Sequence, residues 1–172
     1  MKYNEKNELP KRKELRLKKF DYNSSGAYFI TVCTHNKAKI LSHIEENERC
    51  LADVKLTEFG MIVDKYISEI PERFGVCVSG CVIMPNHIHL LVEVPNNIEC
   101  TKESEFRSIV SKVIGYIKMN SSKEFRKKHG NATVWQRGFY DHIIRNREDY
   151  ENTMYYIYEN PLKWGSDSLN IS

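Results

Sequence analysis

His87-Ile88-His89 is the sharpest chemical feature of the chain. In an extended strand alternate side chains share a face, so imidazoles at i and i+2 stand side by side, about 7 Å apart along the backbone. Two such rings can converge on one divalent ion through neutral ring nitrogens. Two histidines in a strand are also common as plain hydrogen-bonding or surface residues, and a two-ligand site needs a third donor. Segment 150–160 offers one. Tyr156 and Asn160 stand one turn apart on a single helical face, where a phenol can act as nucleophile and an amide oxygen as a hard metal donor. Tyr155 and Glu159 form an equivalent pair, and spacing alone does not choose between the two tyrosines. With Tyr150 and Tyr158, four tyrosines crowd this segment, and packing alone can account for any of them.

The elements that must position these groups are readable from periodicity. The β-branched and aromatic run from Tyr28 to Thr34 follows the turn-like Asn23-Ser24-Ser25-Gly26 and predicts a first strand. Phe59, Ile62, Val63, Tyr66, Ile67 and Ile70 recur at helical spacing and predict an amphipathic helix that ends at Pro71. The runs 76–83 and 87–94 predict two paired strands with Met84-Pro85-Asn86 at the corner. Phe106, Ile109, Val110, Val113, Ile114 and Ile117 predict a second helix whose basic continuation stops at Gly130. Residues 140–145 predict a last strand, and Asn146 an N-cap with Glu148 and Asp149 in the following turn. Tyr150, Met154, Ile157 and Tyr158 form an apolar arc suited to the sheet, and Asn160-Pro161 ends the helix. This order predicts an α+β, ferredoxin-like antiparallel sheet with helices packed on one face and an extra C-terminal helix. Residues 1–20 read as a basic arm, 21–165 as one domain and 166–172 as a short tail.

Net charge is +3, but the charges are segregated. Residues 1–20 hold eight basic and three acidic side chains, 41–75 four and eight, and 102–147 eleven and four. Two basic zones around an acidic one suit a polyanion such as nucleic acid. The five cysteines are odd in number and contain no C-x-x-C pair, which predicts reduced, mostly buried thiols rather than a disulfide frame or zinc knuckle. No long apolar run and no apolar leader stretch occur, so the expectation is a cytoplasmic protein with no membrane contact. His35 and His43 read as polar surface residues.

Five ordered segments carry a family resemblance: Gly26-Ala27-Tyr28-Phe29-Ile30-Thr31 with Leu56-Thr57-Glu58-Phe59-Gly60; Val82-Ile83-Met84-Pro85-Asn86-His87-Ile88-His89; Val134-Trp135-Gln136-Arg137; Asp141-His142-Ile143-Ile144-Arg145; and Tyr156-Ile157-Tyr158-Glu159-Asn160-Pro161. Together they resemble the REP-associated tyrosine transposases, relatives of the single-tyrosine HUH transposases, where U is a hydrophobic residue. The resemblance implies that His87 and His89 are the motif histidines and that Tyr156, four residues before the Asn of the Asn-Pro pair, is the nucleophile. It implies Asn160 as third ligand to Mg²⁺ or Mn²⁺, and a 5′-phosphotyrosine intermediate in the cleavage of single-stranded DNA near hairpins. It leaves monomer and homodimer both open.

Candidate phosphate contacts are Arg12 and Arg16 in the arm, Lys118, Arg126 and Lys127 in the second helix, and Arg137, His142 and Arg145 beyond it; Trp135 or Tyr140 could stack on bases. One rival reading is a non-catalytic nucleic-acid-binding module or autoregulator, which would have no use for paired histidines facing a tyrosine. Another is a histidine-triad nucleotide hydrolase, which wants a third alternating histidine where Leu91 stands.

Overall fold

The structure is a computed structural model that describes residues 25–46, 52–96 and 108–170. The predicted arm with Arg12 and Arg16, Cys50, Cys100 and the predicted helix start at Phe106 lie outside those residues. In chain order the elements are β1 (Gly26–Cys33), β2 (Ser42–Glu46), β3 (Ala52–Leu56), α1 (Glu58–Ser68), α2 (Ile70–Phe74), β4 (Cys77–Ile83), β5 (His87–Val94), α3 (Ile109–His129), β6 (Tyr140–Ile143) and α4 (Arg147–Glu159). The main sheet is antiparallel and ordered β4-β5-β1-β6, the ferredoxin-like arrangement, with β1 and β5 at its centre.

The pleat divides the two central strands between two cores. Tyr28, Ile30 and Val32 of β1 and Ile88, Leu90 and Val92 of β5 are fully buried under Phe59, Val63 and Ile67 of α1 and Val110, Val113, Ile114 and Ile117 of α3. On the opposite face Val82, Met84 and Leu91 meet Ile157 of α4. The same alternation sends His87 and His89 to the α4 face, because Ile88 and Leu90 take the other. Register places Cys33 opposite His87, and Thr31 and Val82 opposite His89 on either side.

The strand corner that launches β5 is braced from several directions. Met84 N donates to His87 O, Leu41 N to Pro85 O and Thr34 N to Asn86 O. The Leu56-Thr57-Glu58-Phe59-Gly60 segment supports this brace. The Thr57 hydroxyl caps α1 by accepting from Gly60 N, and it also reaches the carbonyls of Ile40 and Leu41. Gly60 is required there, because a Cβ would lie 2.0 Å from Leu41 O.

Several sequence expectations need correction. The helix predicted to end at Pro71 turns at Glu69 and resumes as α2, with Pro71 in its first turn, where a missing N–H costs nothing. The β2–β3 hairpin was not predicted: its strands carry no clear apolar alternation. The last strand stops at Ile143 rather than Arg145. Of the described cysteines only Cys33 is buried, and burial pushes its thiol pKa up; Cys77 and Cys81 are exposed. Tyr158 does not join the packed arc of α4 and is 76% exposed. That arc centres on Ile157, so Tyr156 and Tyr158 stand about 100° to either side of it. One edge faces the histidines and the other faces solvent.

Candidate active site

α4 is fixed on the sheet at its start and along its middle. Asn146 caps it by accepting from Asp149 N, as its type predicts. Asp149 accepts from His142 Nε2 and from Arg145 N, tying the end of β6 to the start of the helix. Those two contacts hold the Asp149 carboxyl below the usual range, with His142 the larger cause. Tyr150 Oη donates to Glu93 on β5 at 2.7 Å. Halfway along, α4 crosses the β4 bulge at Gly80, where a Cβ would stand 2.9 Å from Met154 Sδ and 3.1 Å from Ile157 Cδ1. The missing side chain lets helix and sheet approach closely.

This placement brings Tyr156, Asn160, His87 and His89 together on one face. The Tyr156 ring packs edge-on against His89 with centroids 5.3 Å apart, and against Phe29 at 5.8 Å. Phe29 stacks on His89 at 5.0 Å. Asn160 is buried between the groups and acts on both, raising the proton affinity of His87 and lowering that of the Tyr156 phenol. Its Oδ1 has no hydrogen-bond partner. Tyr155 lies on the exposed side, engaged with Glu159 and with the Lys163 ammonium 6.0 Å from its ring.

Both imidazoles are held by their far nitrogens. Asn86 Nδ2 donates to Leu169 O at 2.8 Å, so Asn86 Oδ1 faces His87 Nδ1 at 2.8 Å and accepts from its N–H. Nε2 of His87 is thereby left with a lone pair. Thr31 Oγ1 meets His89 Nδ1 at 2.9 Å in the equivalent position. The two Nε2 atoms then stand 3.1 Å apart. Ligands about 2.1 Å from an octahedral ion and 90° apart lie about 3.0 Å from each other. Burial lowers the His87 pKa to about 4, partly offset by Asp167, and holds His89 well below its ordinary value, with the neighbouring His87 adding to the effect. Both rings are therefore neutral at pH 7, the form that ligates. An orphaned buried amide oxygen beside two converging imidazole nitrogens fits a divalent cation held by His87, His89 and Asn160. Among the described residues no three His, Cys, Asp or Glu side chains stand close enough together, as they are placed, to hold an ion by themselves, so the amide is needed for the third donor.

Tyr156 is partly exposed, and burial is the main cause raising its pKa, with Asp167 second; Asn160 opposes both. The phenol is therefore protonated at neutral pH and open to an incoming substrate.

The candidate phosphate contacts are scattered. Arg126, Arg137 and Arg145 are exposed, Lys127 is paired with Glu124, and His142 with Asp149. Lys118 is committed inward, its Nζ donating to Gln136 O at 2.5 Å and Gly138 O at 2.8 Å. Trp135 is core, its Nε1 donating to Ser121 Oγ, whereas Tyr140 is half exposed. Sequence reasoning missed Asn86, Thr31 and Asp167 as parts of the site. Asn86 directly precedes the paired histidines, and Thr31 follows from strand pairing; a lone aspartate in a loop gives no signal. Among the described residues no helix is long and apolar enough to cross a membrane.

The pattern of the family described as "Transposase IS200 like" matches residues 22–160. The chain is 33% identical to an uncharacterized protein of Haemophilus influenzae across 93% of each chain. It is 30% identical to a REP-associated tyrosine transposase of Escherichia coli, covering 84% of this chain and 71% of that one. Its fold is shared by a solved REP-associated tyrosine transposase bound to a REP hairpin, at a TM-score of 0.57 and 21% identity, over 87% of this chain and 74% of the other.

Proposed function

The chain belongs to the IS200-like transposase family and is an enzyme of the HUH tyrosine transposase class, and from that premise we propose that it cuts and rejoins single-stranded DNA beside a hairpin. Tyr156 is the nucleophile, and His87, His89 and Asn160 hold Mg²⁺ or Mn²⁺. The observation that carries this reading is the packing of the Tyr156 phenol on His89, 5.3 Å between centroids, beside the paired Nε2 atoms.

A phosphodiester resists attack because its oxygens are charged and its leaving alkoxide is poor. The cation, when bound, supplies charge neutralisation at the phosphate oxygens. The chain's own residues do the rest. Phe29 and His89 confine the Tyr156 ring, and the Asn160 amide favours its deprotonated form. The Tyr156 oxygen forms a bond to phosphorus while the P–O3′ bond breaks; the phenolic proton passes to solvent, and the departing 3′-oxygen takes up a proton from solvent and leaves as a hydroxyl. The 5′-phosphotyrosine ester conserves the bond energy, so a 3′-hydroxyl can reverse the step and rejoin the strand. All four groups meet within one chain, which supports cleavage by a single copy. Since the solved relative is bound to a REP hairpin, a hairpin of that kind is the DNA partner we infer, with the exposed Arg126, Arg137 and Arg145 available to its phosphates.

The test is covalent capture. Protein with Mn²⁺ and a hairpin oligonucleotide labelled on the 3′ side of the cut should give a labelled band on a denaturing gel. Tyr156→Phe should bind the hairpin and give no band, and Tyr155→Phe should give one. Equal labelling of Tyr156→Phe overturns the assignment.

A further inference from the structure

We propose that Asp167 supplies a fourth, anionic donor to the cation site, through Oδ2. The assignment rests on the cation-dependent reading above and extends its ligand set beyond the histidines and the amide.

Asp167 lies in the segment that follows α4 and folds back over the site. The segment passes through a 3-10 turn at Trp164–Ser166, and the Trp164 ring sits 6.1 Å from His87, with the Lys39 ammonium 5.7 Å from the ring centroid. The Asp167 side chain is only 6% exposed. Its two oxygens are unequal. Oδ1 accepts from Leu169 N at 2.6 Å, while Oδ2 has no hydrogen bond and stands 3.9 Å from His87 Nε2. That nitrogen carries the lone pair, because the His87 proton is on the Nδ1 side facing Asn86. The nearest charged-pair candidate of Oδ2 is therefore a neutral acceptor. A buried carboxylate oxygen aimed at a lone pair is costly unless a cation lies between them.

Charge points the same way. His87, His89 and Asn160 are neutral donors, which would leave a dication uncompensated in a buried site. Hard divalent cations are ordinarily held through at least one carboxylate. Among the described residues Asp167 is the acid placed against these donors, and its charge reaches both His87 and Tyr156. As it stands Oδ2 is about 0.9 Å beyond the roughly 3.0 Å expected between neighbouring ligands of an octahedral ion, so the carboxylate closes by that amount when the ion binds. The link is built in: Asn86 orients His87 with its carbonyl end and holds Leu169 with its amide end, so one side chain sets the histidine and the aspartate loop together.

The probe is Mn²⁺ alone, without DNA. Titration followed by electron paramagnetic resonance should give a dissociation constant at least tenfold weaker for Asp167→Asn than for wild type. Exposed Asp53→Asn should match wild type. Protein labelled with ¹³C at aspartate carboxyls should show a Mn²⁺–¹³C coupling that Asp167→Asn lacks, while both proteins keep two imidazole nitrogen couplings. This second readout holds even if the variant is less stable. Equal affinity with no aspartate coupling in wild type overturns the proposal and leaves the histidine site and the nuclease reading intact. Absence of Mn²⁺ binding by wild type overturns both.

Discussion

Lowering the pH of the metal-free protein should unfold it through its site. His87 and His89 are the two buried histidines, and burial holds both imidazoles below their ordinary proton affinity. The unfolded chain recovers a pKa near 6.5 for each. As pH falls below that value the unfolded state takes up protons that the folded state refuses, so stability is fully present above about 6.5 and is lost on the way down. For His87, whose folded value is about 4, the loss continues to that pH. The shift of roughly 2.5 units corresponds to about 3 kcal/mol, a large part of a typical stability.

The window separates this effect from ordinary acid denaturation. Glu93 and Asp149, whose pKa values are lowered by their hydrogen bonds to Ser79 and to His142 respectively, destabilise only as pH falls below the usual carboxylate range. Between pH 6 and 5 the histidines act almost alone, at about 1.4 kcal/mol per pH unit for each ring. Urea unfolding at half-unit intervals from pH 7.5 to 4.5, in chelator, measures the slope. His87→Gln should remove about half of it. A stability that is flat from pH 6.5 to 5 would refute the claim that these rings are held neutral by burial, and with it their readiness to ligate.

Two other consequences are open to measurement. Gly60→Ala should destabilise by 1–3 kcal/mol or so by urea midpoint, because the new Cβ meets Leu41 O at 2.0 Å and this outweighs a helix-propensity gain of about 1 kcal/mol; a rise in stability would contradict the brace around Pro85. Lys118→Met should lower stability by about 1–3 kcal/mol through the two carbonyls it leaves unpaired, yet leave the salt dependence of hairpin binding unchanged; Arg137→Ala should reduce that slope by about one ion, and a matching reduction in Lys118→Met would return the lysine to the DNA surface.

Much of the architecture was legible because periodicity reports burial. β1, β5 and the helices α1 and α3 follow the spacing of Val, Ile and Phe, and Asn146 announced the start of α4 through its capping chemistry. Elements that bury little apolar surface were silent, which is why the β2–β3 hairpin went unseen. Pro71 misled because a proline ends one helix and opens another with equal ease. At the site, the paired histidines could be read from strand alternation, but the choice between Tyr155 and Tyr156 could not, since each has a polar partner four residues on. That choice depends on which edge of α4 faces β5, and it is Gly80 and the Tyr150–Glu93 contact, both remote in sequence, that set the helix there.

The sheet thus separates stability from chemistry. One face of β1 and β5 is filled by the aliphatic and aromatic side chains of α1 and α3, which form the larger of the two cores. The other face is covered by a single helix and the segment after it, joined to the sheet by specific contacts that include Tyr150 to Glu93, Asp149 to His142, the Tyr156 ring on Phe29 and His89, Ile157 in its small cluster, and Asn86 to Leu169. Polar groups that would be costly in the first core are tolerated in the second because each histidine has a fixed hydrogen-bond partner. On the proposed reading a DNA strand must reach the site beside Tyr156, and a cover packed through a smaller cluster on a separately packed sheet face can yield without unfolding the domain.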